Sequence, residues 1–442
     1  MSVPTVFGML GQTLYDVIDL MWIGRISTRA VAGVTLFATI FWLVEVLNEV
    51  IGVSSIALIT QTFGSGDQAR TARVIEQTIV FKIFVAIISA FVMYLGLEPV
   101  LRFFTSDAEV LQSALDYGRL RIFFLPVFFA TFSCFTALRS TGDPASQMWI
   151  MLGSTILNAV LAPVFMFKEI PFVGLRGLGM GVFGAALATV IAISISFLLG
   201  FSLLMSGRAR VKLSLRGLFV LDRLIDWKLI TIGLPSGGEL LARQFASLVT
   251  TKFVAFYGTE AIAALGIGNR IGGLVFMPLF GLMSGGGTIV GQCLGAGKTD
   301  RAERTARAAS LLGGTTVTLM MAIAFVFPRP ILGLFVDAPE VIALGVPMLR
   351  ILGAAFAVVS FAIALGCVFS GSGHNMPFLV SSLVGRWCVQ VPILVLATLV
   401  LPRLGFRSGL VAIWLSFLAS DLVESILLFR AYRKGTWKQV RV

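Results

Sequence analysis

Carboxylate side chains occur inside long apolar segments of this chain, where an ionised group is costly and needs a partner or a role. Residues 4–24 contain Tyr15 and Asp19, which are four positions apart and therefore share one face of a helix. A carboxylate partly removed from water can bind and release a proton. We therefore take Asp19 as a candidate proton carrier, with a structural carboxylate bonded to a neighbouring helix as the alternative.

Other polar side chains in the first two apolar segments could line one water-filled cavity with Asp19. Gln12 lies on the same face one turn before Tyr15, and Asp16 is close enough to Asp19 for the two carboxylates to titrate as a pair. For the acids of the second segment, pairing with a basic residue on another helix is the alternative. The cavity candidates of the first half are Gln12, Asp16, Glu45, Asn48 and Glu49.

The second half of the chain carries charges of both signs at different positions. Glu239 and Arg243 are four residues apart in the seventh apolar segment, so they could pair on one helix face or line a cavity. The single histidine, His374, falls in a short connection, where a solvated or packing role is expected.

The motifs of common enzymes and metal sites are absent from the sequence. It contains no Walker loop, no HExxH motif, no cluster of Cys or His with metal-ligand spacing and no GxSxG motif. We therefore expect no enzyme activity and no bound cofactor or metal. Without a nucleotide site, any uphill transport would have to use an ion gradient.

An internal repeat relates the two halves of the chain. A constant offset of 231 residues carries Pro4 onto Pro235, Gln61 onto Gln292 and Gly142 onto Gly373. Many membrane transporters are built from two such repeats with a polar site. The same offset carries Asp19 onto Thr250, so the halves share a scaffold but not a site.

The composition is that of an integral membrane protein. Hydrophobic residues make up 57% of the 442 residues and charged residues only 13%, against about 25% charge in soluble domains. The apolar segments lack the period-two alternation of a membrane barrel, so they are predicted to be helices. Segments near or above the ~20 residues of a bilayer crossing are 4–24, 31–62, 74–97, 119–139, 147–167, 180–205, 229–257, 262–292, 309–332, 341–370, 377–401 and 408–430.

These segments predict an all-α integral membrane protein with twelve transmembrane helices in two six-helix lobes. Because each six-helix half starts on the same side of the membrane, we expect pseudo-two-fold symmetry along the membrane normal. The predicted boundaries are an N-lobe at 1–205, a cytoplasmic inter-lobe linker at 206–228, a C-lobe at 229–430 and a basic cytoplasmic tail at 431–442.

The distribution of basic residues predicts orientation and partners. The net charge is +12, but Lys and Arg cluster in short connections and at the C-terminus, so we expect a lipid bilayer and no nucleic acid as partner. The bias towards the linker side predicts a multi-pass protein of the plasma (inner) membrane with both termini cytoplasmic. In this scheme Arg119 and Arg121, at the start of the fourth segment, are counted with the outer connections.

An ordered set of motifs resembles the multidrug and toxic compound extrusion (MATE) transporters. The first segment, with Tyr15-Asp16-Val17-Ile18-Asp19, is similar to the opening helix of that family, and Gln-x-x-Gly-x-Gly motifs begin at Gln61 and Gln292. Two further matching motifs are Leu157-Asn158-Ala159-Val160-Leu161-Ala162-Pro163 and Gly184-Ala185-Ala186-Leu187-Ala188-Thr189. The resemblance implies a monomeric antiporter that exports small amphipathic or cationic molecules in exchange for H⁺ or Na⁺ by alternating access.

The resemblance also implies a site. Asp19 matches the coupling carboxylate of the family, Tyr15 lies in the same site, and Asn158 and Thr189 match two further polar residues of it. Ala162 stands where prokaryotic members often have an aspartate. Because a Na⁺ site needs several hard oxygen ligands, this loss favours H⁺, with Na⁺ at Asp19, Asn158 and Thr189 as the alternative.

Two other functions are weighed against the exporter. A lipid-linked oligosaccharide flippase, or another lipid flippase of the same superfamily, usually has two further helices and a strongly cationic cavity, which argues against it here. A channel would more naturally show a selectivity-filter loop or a pore ring, and the sequence offers neither.

Overall fold

A computed structural model of the chain describes residues 2–171, 174–207, 210–400 and 409–442, with the side chains of several α1 residues left undescribed. The described part is almost entirely helical, as predicted. The helices of the first half are α1 (Ser2–Gly24), α2 (Thr28–Gly64), α3 (Gln68–Phe104), α4 (Ala108–Phe123), α5 (Leu125–Ser140), α6 (Pro144–Met166) and α7 (Gly181–Met205).

The second half repeats this succession with more interruptions. Its α-helices are α8 (Arg223–Ala255), α9 (Thr259–Gly295), α10 (Thr299–Val326), α11 (Pro328–Gly333), α12 (Pro339–Leu365), α13 (Cys367–Ser372), α14 (Met376–Ser382), α15 (Val391–Val395) and α16 (Gly409–Lys434). The backbone is π-helical at Leu383–Gln390 and Leu396–Val400, on either side of α15. Such wide turns often occur at functional sites.

The described helices confirm the predicted membrane-protein class. Within the described ranges, nine helical spans are long and apolar enough to cross a bilayer, and the α4–α5 pair, bent by 57°, brings the number to ten. Helices α1 and α8 lie at the first and seventh predicted segments. The fold is that of an all-α integral membrane protein.

The fourth segment differs from its prediction. Helix α4 begins at Ala108, capped by the Asp107 side chain, so Arg119 and Arg121 lie on a helix and not in a connection. Several charged residues on α4 interrupt its apolar run, which is why the hydrophobic pattern alone placed the start of the segment too late. Because Arg121 lies in the last turn of α4, it has a fixed place among the helices of the first half.

The backbone shows the internal repeat directly. Gly66 and Gly297 both follow the second helix of their half and have φ values of +83° and +73°. Gly142 and Gly373, which share the same offset, have φ values of +93° and +79°. Only glycine adopts this left-handed conformation without steric cost, so the repeated glycines mark repeated turns.

The chain divides into two compact units, unit 1 (residues 3–230) and unit 2 (residues 231–442). In unit 1 the core packs Phe37, Tyr117 and Phe129 at full or nearly full burial, and the Phe37 and Tyr117 rings meet edge to face at 5.7 Å. In unit 2, α16 ends at Lys434 and a short turn follows. Trp437 of that turn is fully buried and stacks on Tyr432.

The polar linker is bound to α3 of unit 1. Glu76 accepts a hydrogen bond from the Ser214 N–H at 2.6 Å, and Arg73 donates to the Gly217 carbonyl at 2.9 Å. Gln77 accepts from the Asp222 N–H at 2.9 Å. Helix α8 then begins at Arg223, earlier than the predicted lobe start at 229.

Close packing of α2 on α4 supplies a stability prediction. A Cβ at Gly33 would lie 2.5 Å from the Val110 carbonyl oxygen and 2.9 Å from the Ser113 Cβ, so Gly33→Ala should destabilise unit 1 by about 1–3 kcal/mol. Thermal unfolding of the purified protein in detergent measures this. Gly96→Ala is the matched control, because nothing lies within 4 Å of its added Cβ. Equal melting temperatures for the two variants would contradict the packing argument.

Candidate functional site

Unit 1 contains a cavity of about 520 Å³. Its polar lining includes Tyr15, Asp19, Glu45, Tyr117 and Arg121. Its aromatic wall is formed by Phe37, Phe41, Trp42, Phe128, Phe132 and Phe135. The cavity therefore combines an apolar, polarizable surface with a small number of charged groups, which is typical of small-molecule sites.

Asp19 is a buried carboxylate at the wall of this cavity, with 4% of its surface exposed. The Tyr117 hydroxyl donates a hydrogen bond to Asp19 Oδ2 at 2.7 Å. The Thr189 hydroxyl lies 3.5 Å from the same oxygen and can also donate to it. Hydroxyl donors of this kind stabilise the ionised form of a carboxylate.

The four predicted ion-coupling residues lie together. Asn158 donates through Nδ2 to Thr189 Oγ1 at 3.4 Å, and the Tyr15 hydroxyl donates to the Thr189 carbonyl at 3.2 Å. Thr189 Oγ1 is also 3.1 Å from the Ala185 carbonyl. Because a threonine hydroxyl has one hydrogen, it can serve either Ala185 or Asp19 at a given moment.

Arg121 and Tyr117 belong to the site although the sequence analysis did not select them. Arg121 donates through Nη1 to the Tyr117 hydroxyl at 3.1 Å, and that hydroxyl in turn donates to Asp19. The guanidinium lies over the rings of Phe41 and Phe128, at 5.1 and 5.8 Å from their centroids. A chain of hydrogen bonds thus links a fixed positive charge to the carboxylate.

The acids of α2 have separate environments. Glu45 lines the cavity, and Asn48 donates to its Oε2 at 3.4 Å. The side-chain oxygen of Asn48, Oδ1, accepts a hydrogen bond from Nζ of Lys82, a fully buried lysine of α3, at 2.7 Å. Glu49 is exposed and does not line the cavity. Lys82 is one of two charged residues inside the third predicted segment, and a charge at that depth was the signal by which the sequence could have shown it.

The remaining candidates lie elsewhere or outside the described side chains. Nothing is described of the Gln12 and Asp16 side chains. Arg243 belongs to unit 2, where it donates to Glu239 at 2.8 Å and to Glu424 at 2.7 Å. Partial burial lowers the pKa of His374, in the connection after α13, so its imidazole is neutral near pH 7.

The site and the fold together define a multi-pass membrane transporter. The MatE family model matches residues 4–164 and again residues 235–396, and the two matches begin 231 residues apart. The chain belongs to the MatE family, which confirms the resemblance seen in its motifs. Members of this family are transporters, so the protein is a transporter and not an enzyme.

Curated relatives resemble the whole chain. It is 25% identical to the probable multidrug resistance protein YoeA of Bacillus subtilis, over 100% of this chain and 93% of that protein. It is 23% identical to the probable multidrug resistance protein NorM of Thermotoga maritima, over 99% and 92% of the two chains.

A solved structure shares the fold. The outward-facing conformation of a multidrug resistance MATE family transporter of the MOP superfamily superposes with a TM-score of 0.88. The match is 22% identical and covers 100% of this chain and 95% of that chain. At this identity the likeness shows the fold alone.

Proposed function

We propose that this protein is a proton-coupled multidrug efflux antiporter that exports amphipathic or cationic compounds by alternating access. The observation that carries the proposal is a buried carboxylate, Asp19, held by two hydroxyl groups at the wall of an aromatic cavity. The names of the relatives, probable multidrug resistance proteins, support the same activity. We place the protein in the plasma membrane with both termini cytoplasmic, as the basic connections suggest.

The hydrogen bonds around Asp19 suggest how a proton would act. While Asp19 is ionised, Tyr117 and Thr189 donate to its Oδ2. A proton bound there removes the charge that holds both donors, and the Thr189 hydroxyl can then donate to Ala185 instead. The loss of these bonds would free α1 to shift against α4 and α7. Proton and exported compound would then compete through a coupling free energy that is reciprocal.

The cavity lining suggests the substrate class. Aromatic rings attract cations by their faces and bind apolar rings by stacking. Asp19 and Glu45 carry two negative charges when ionised, and Arg121 offsets one of them. A planar amphipathic cation fits both the rings and the remaining negative charge. Several adaptable contacts, and not one specific motif, would provide binding of many compounds.

The oxygen ligands near Asp19 favour a proton over Na⁺. Na⁺ would need several hard oxygens, and Asp19, Asn158 and Thr189 together supply few. The guanidinium of Arg121, one hydroxyl away from Asp19, would also repel a metal cation. A Na⁺ ion held by these three residues is the alternative.

Dye efflux in proteoliposomes under a pH gradient alone, and under a Na⁺ gradient alone, tests the coupling ion. Efflux driven only by Na⁺ would overturn the proposal.

Tyr117 supplies a prediction for the same site. Tyr117→Phe removes the shortest hydrogen bond to Asp19 while keeping the ring against Phe37. A hydrogen bond to a charged group is worth roughly 1.5–3 kcal/mol, so pH-driven efflux should fall about tenfold or more. Tyr94→Phe, at an exposed tyrosine of α3, is the matched control and should leave efflux unchanged. Equal efflux by the two variants would remove Tyr117 from the mechanism.

A further inference from the structure

Unit 2 contains a cluster of charged side chains on three different elements. Glu239 and Arg243 come from α8, Arg386 from the π-helical turn at 383–390, and Asp421 and Glu424 from α16. Arg243 donates to Glu239 at 2.8 Å and to Glu424 at 2.7 Å. Arg386 donates to Asp421 at 2.7 Å, and the same nitrogen lies 3.7 Å from Glu424. We call these five residues the unit 2 charge cluster.

The charges of this cluster do not balance. It contains three carboxyl groups and two guanidinium groups, so full ionisation leaves one excess negative charge. The side chains of Asp421 and Glu424 are 1% and 0% exposed, which keeps water from compensating that charge. An uncompensated charge in such surroundings is strongly disfavoured, and a carboxyl group there takes up a proton instead.

One oxygen of the cluster has room for that proton. Within the described part of the chain, Asp421 Oδ2 is buried and has no hydrogen-bond partner, while Oδ1 is bound to Arg386. Glu424 Oε2 has only the longer 3.7 Å contact with Arg386. We propose that Asp421 and Glu424 hold one proton between them, so that the unit 2 charge cluster is a second proton-binding site of this transporter. The proposal does not depend on the role proposed for Asp19.

The surroundings favour a proton over a metal cation. The two guanidinium groups already bind one oxygen of each carboxyl group, and no group of three His, Cys, Asp or Glu is arranged for a metal anywhere in the described ranges. The other elements packed against α16 add no buried charge to the cluster. Helix α12 carries only exposed Glu340 and Arg350, and α14, α15 and the 396–400 turn carry no ionisable side chain. Lys438 of the following turn is bound to Glu303.

The internal repeat places this cluster beside the counterpart of the Asp19 site. In unit 1 the Thr155 hydroxyl donates to the Gly11 carbonyl, and in unit 2 Trp387 donates to the Ala242 carbonyl. The repeated contact makes Gln390 the counterpart of Asn158, one residue beyond the offset of 231.

At these counterpart positions the unit 2 side chains are neutral. Gln390 donates to Thr250, the counterpart of Asp19, at 3.4 Å. Arg386 lies one turn before Gln390 on the same π-helical turn. The two fully buried carboxyl groups of unit 2, Asp421 and Glu424, therefore lie on the last helix of their repeat, whereas Asp19 of unit 1 lies on the first.

Infrared spectroscopy of the purified full-length protein tests the proposal. The measurement uses the Asp19→Asn/Glu45→Gln variant, so that the two acids of the unit 1 cavity cannot contribute. We expect a carbonyl-stretch band of a protonated carboxyl group at neutral pH. Adding Asp421→Asn and Glu424→Gln should remove that band. Absence of the band in the first variant, or its persistence in the second, would overturn the proposal. Both results are independent of whether Asp19 couples transport.

A single substitution keeps the test valid if the combined variant does not fold. Asp421→Asn resembles the protonated carboxyl group in shape and, like it, leaves the cluster without excess charge. It should therefore unfold at or above the temperature of the wild-type protein, and proton uptake in a pH titration should fall by one per molecule. A clear loss of thermal stability, or unchanged proton uptake in both Asp421→Asn and Glu424→Gln, would show that the cluster holds no proton.

Discussion

Asp19→Asn is expected to abolish proton-driven efflux while the protein still folds. Asparagine has nearly the same shape as aspartate, and its carbonyl can still accept the hydrogen bond from Tyr117 that now binds Asp19 at 2.7 Å. It cannot bind and release a proton, so the switch between charged and neutral forms is lost. Efflux of a fluorescent cation from proteoliposomes under an imposed pH gradient should fall to the level of empty vesicles.

The control for this variant is a second acid on a helix of the same unit. Asp116 of α4 is adjacent in sequence to Tyr117, does not line the cavity and is bound to Gln112 at 2.7 Å. Asp116→Asn should therefore transport like the wild-type protein. Both variants should show the same elution profile and melting temperature as wild type, which separates loss of transport from loss of fold. Efflux retained by Asp19→Asn would rule out its coupling role.

The fold was predictable because the hydrophobic pattern of a membrane helix is strong. Each predicted apolar segment overlaps one or more described helices, and the repeat found from Pro4 and Pro235 coincides with the two family matches. The predicted helix boundaries were least accurate where a helix contains several charged residues. Helix α4 carries Glu109, Asp116 and Arg121, so a rule based on apolar runs placed its start too late.

The candidate site was predictable only in part. Asp19, Asn158 and Thr189 lie on α1, α6 and α7, and nothing in their spacing along the chain shows that these helices meet. Their grouping came from the family resemblance. Tyr117 and Arg121 were missed, because residues placed in a solvent-exposed connection need no partner. Only the structure shows that Tyr117 of α4 donates to the Asp19 carboxylate of α1 and that Arg121 donates to Tyr117.

The sequence alone could have identified the buried charged residues of unit 2 as candidates. Arg386, Asp421 and Glu424 all fall inside predicted membrane segments, where each charge requires a partner. Sequence reasoning left Glu239 and Arg243 either to pair or to line a cavity, and the structure shows the pair. It could not choose among distant acids for the rest of the cluster. Pairing across helices depends on how each helix is rotated about its axis, and an apolar stripe roughly 100° wide or more leaves that rotation poorly determined.

Arg243→Met is expected to cause a large loss of stability in unit 2. Its guanidinium binds Glu239 at 2.8 Å and Glu424 at 2.7 Å, and Glu424 is fully buried. Breaking a buried pair leaves an uncompensated charge and costs 3–5 kcal/mol in typical cases. Because Arg243 is itself 34% exposed, we expect about 3 kcal/mol, at the low end of that range. The melting temperature in detergent should fall by several degrees.

Two further variants separate this charge effect from loss of packing. Arg102→Met is the matched control, since Arg102 and Glu98 form an (i,i+4) pair at the same 2.8 Å, but Arg102 is 64% exposed. An exposed pair contributes little to stability, so no change in melting temperature is expected. Arg243→Met combined with Glu424→Gln removes the stranded charge and should recover part of the lost stability. If the double variant melts no higher than Arg243→Met alone, the loss comes from packing of the arginine and not from its charge.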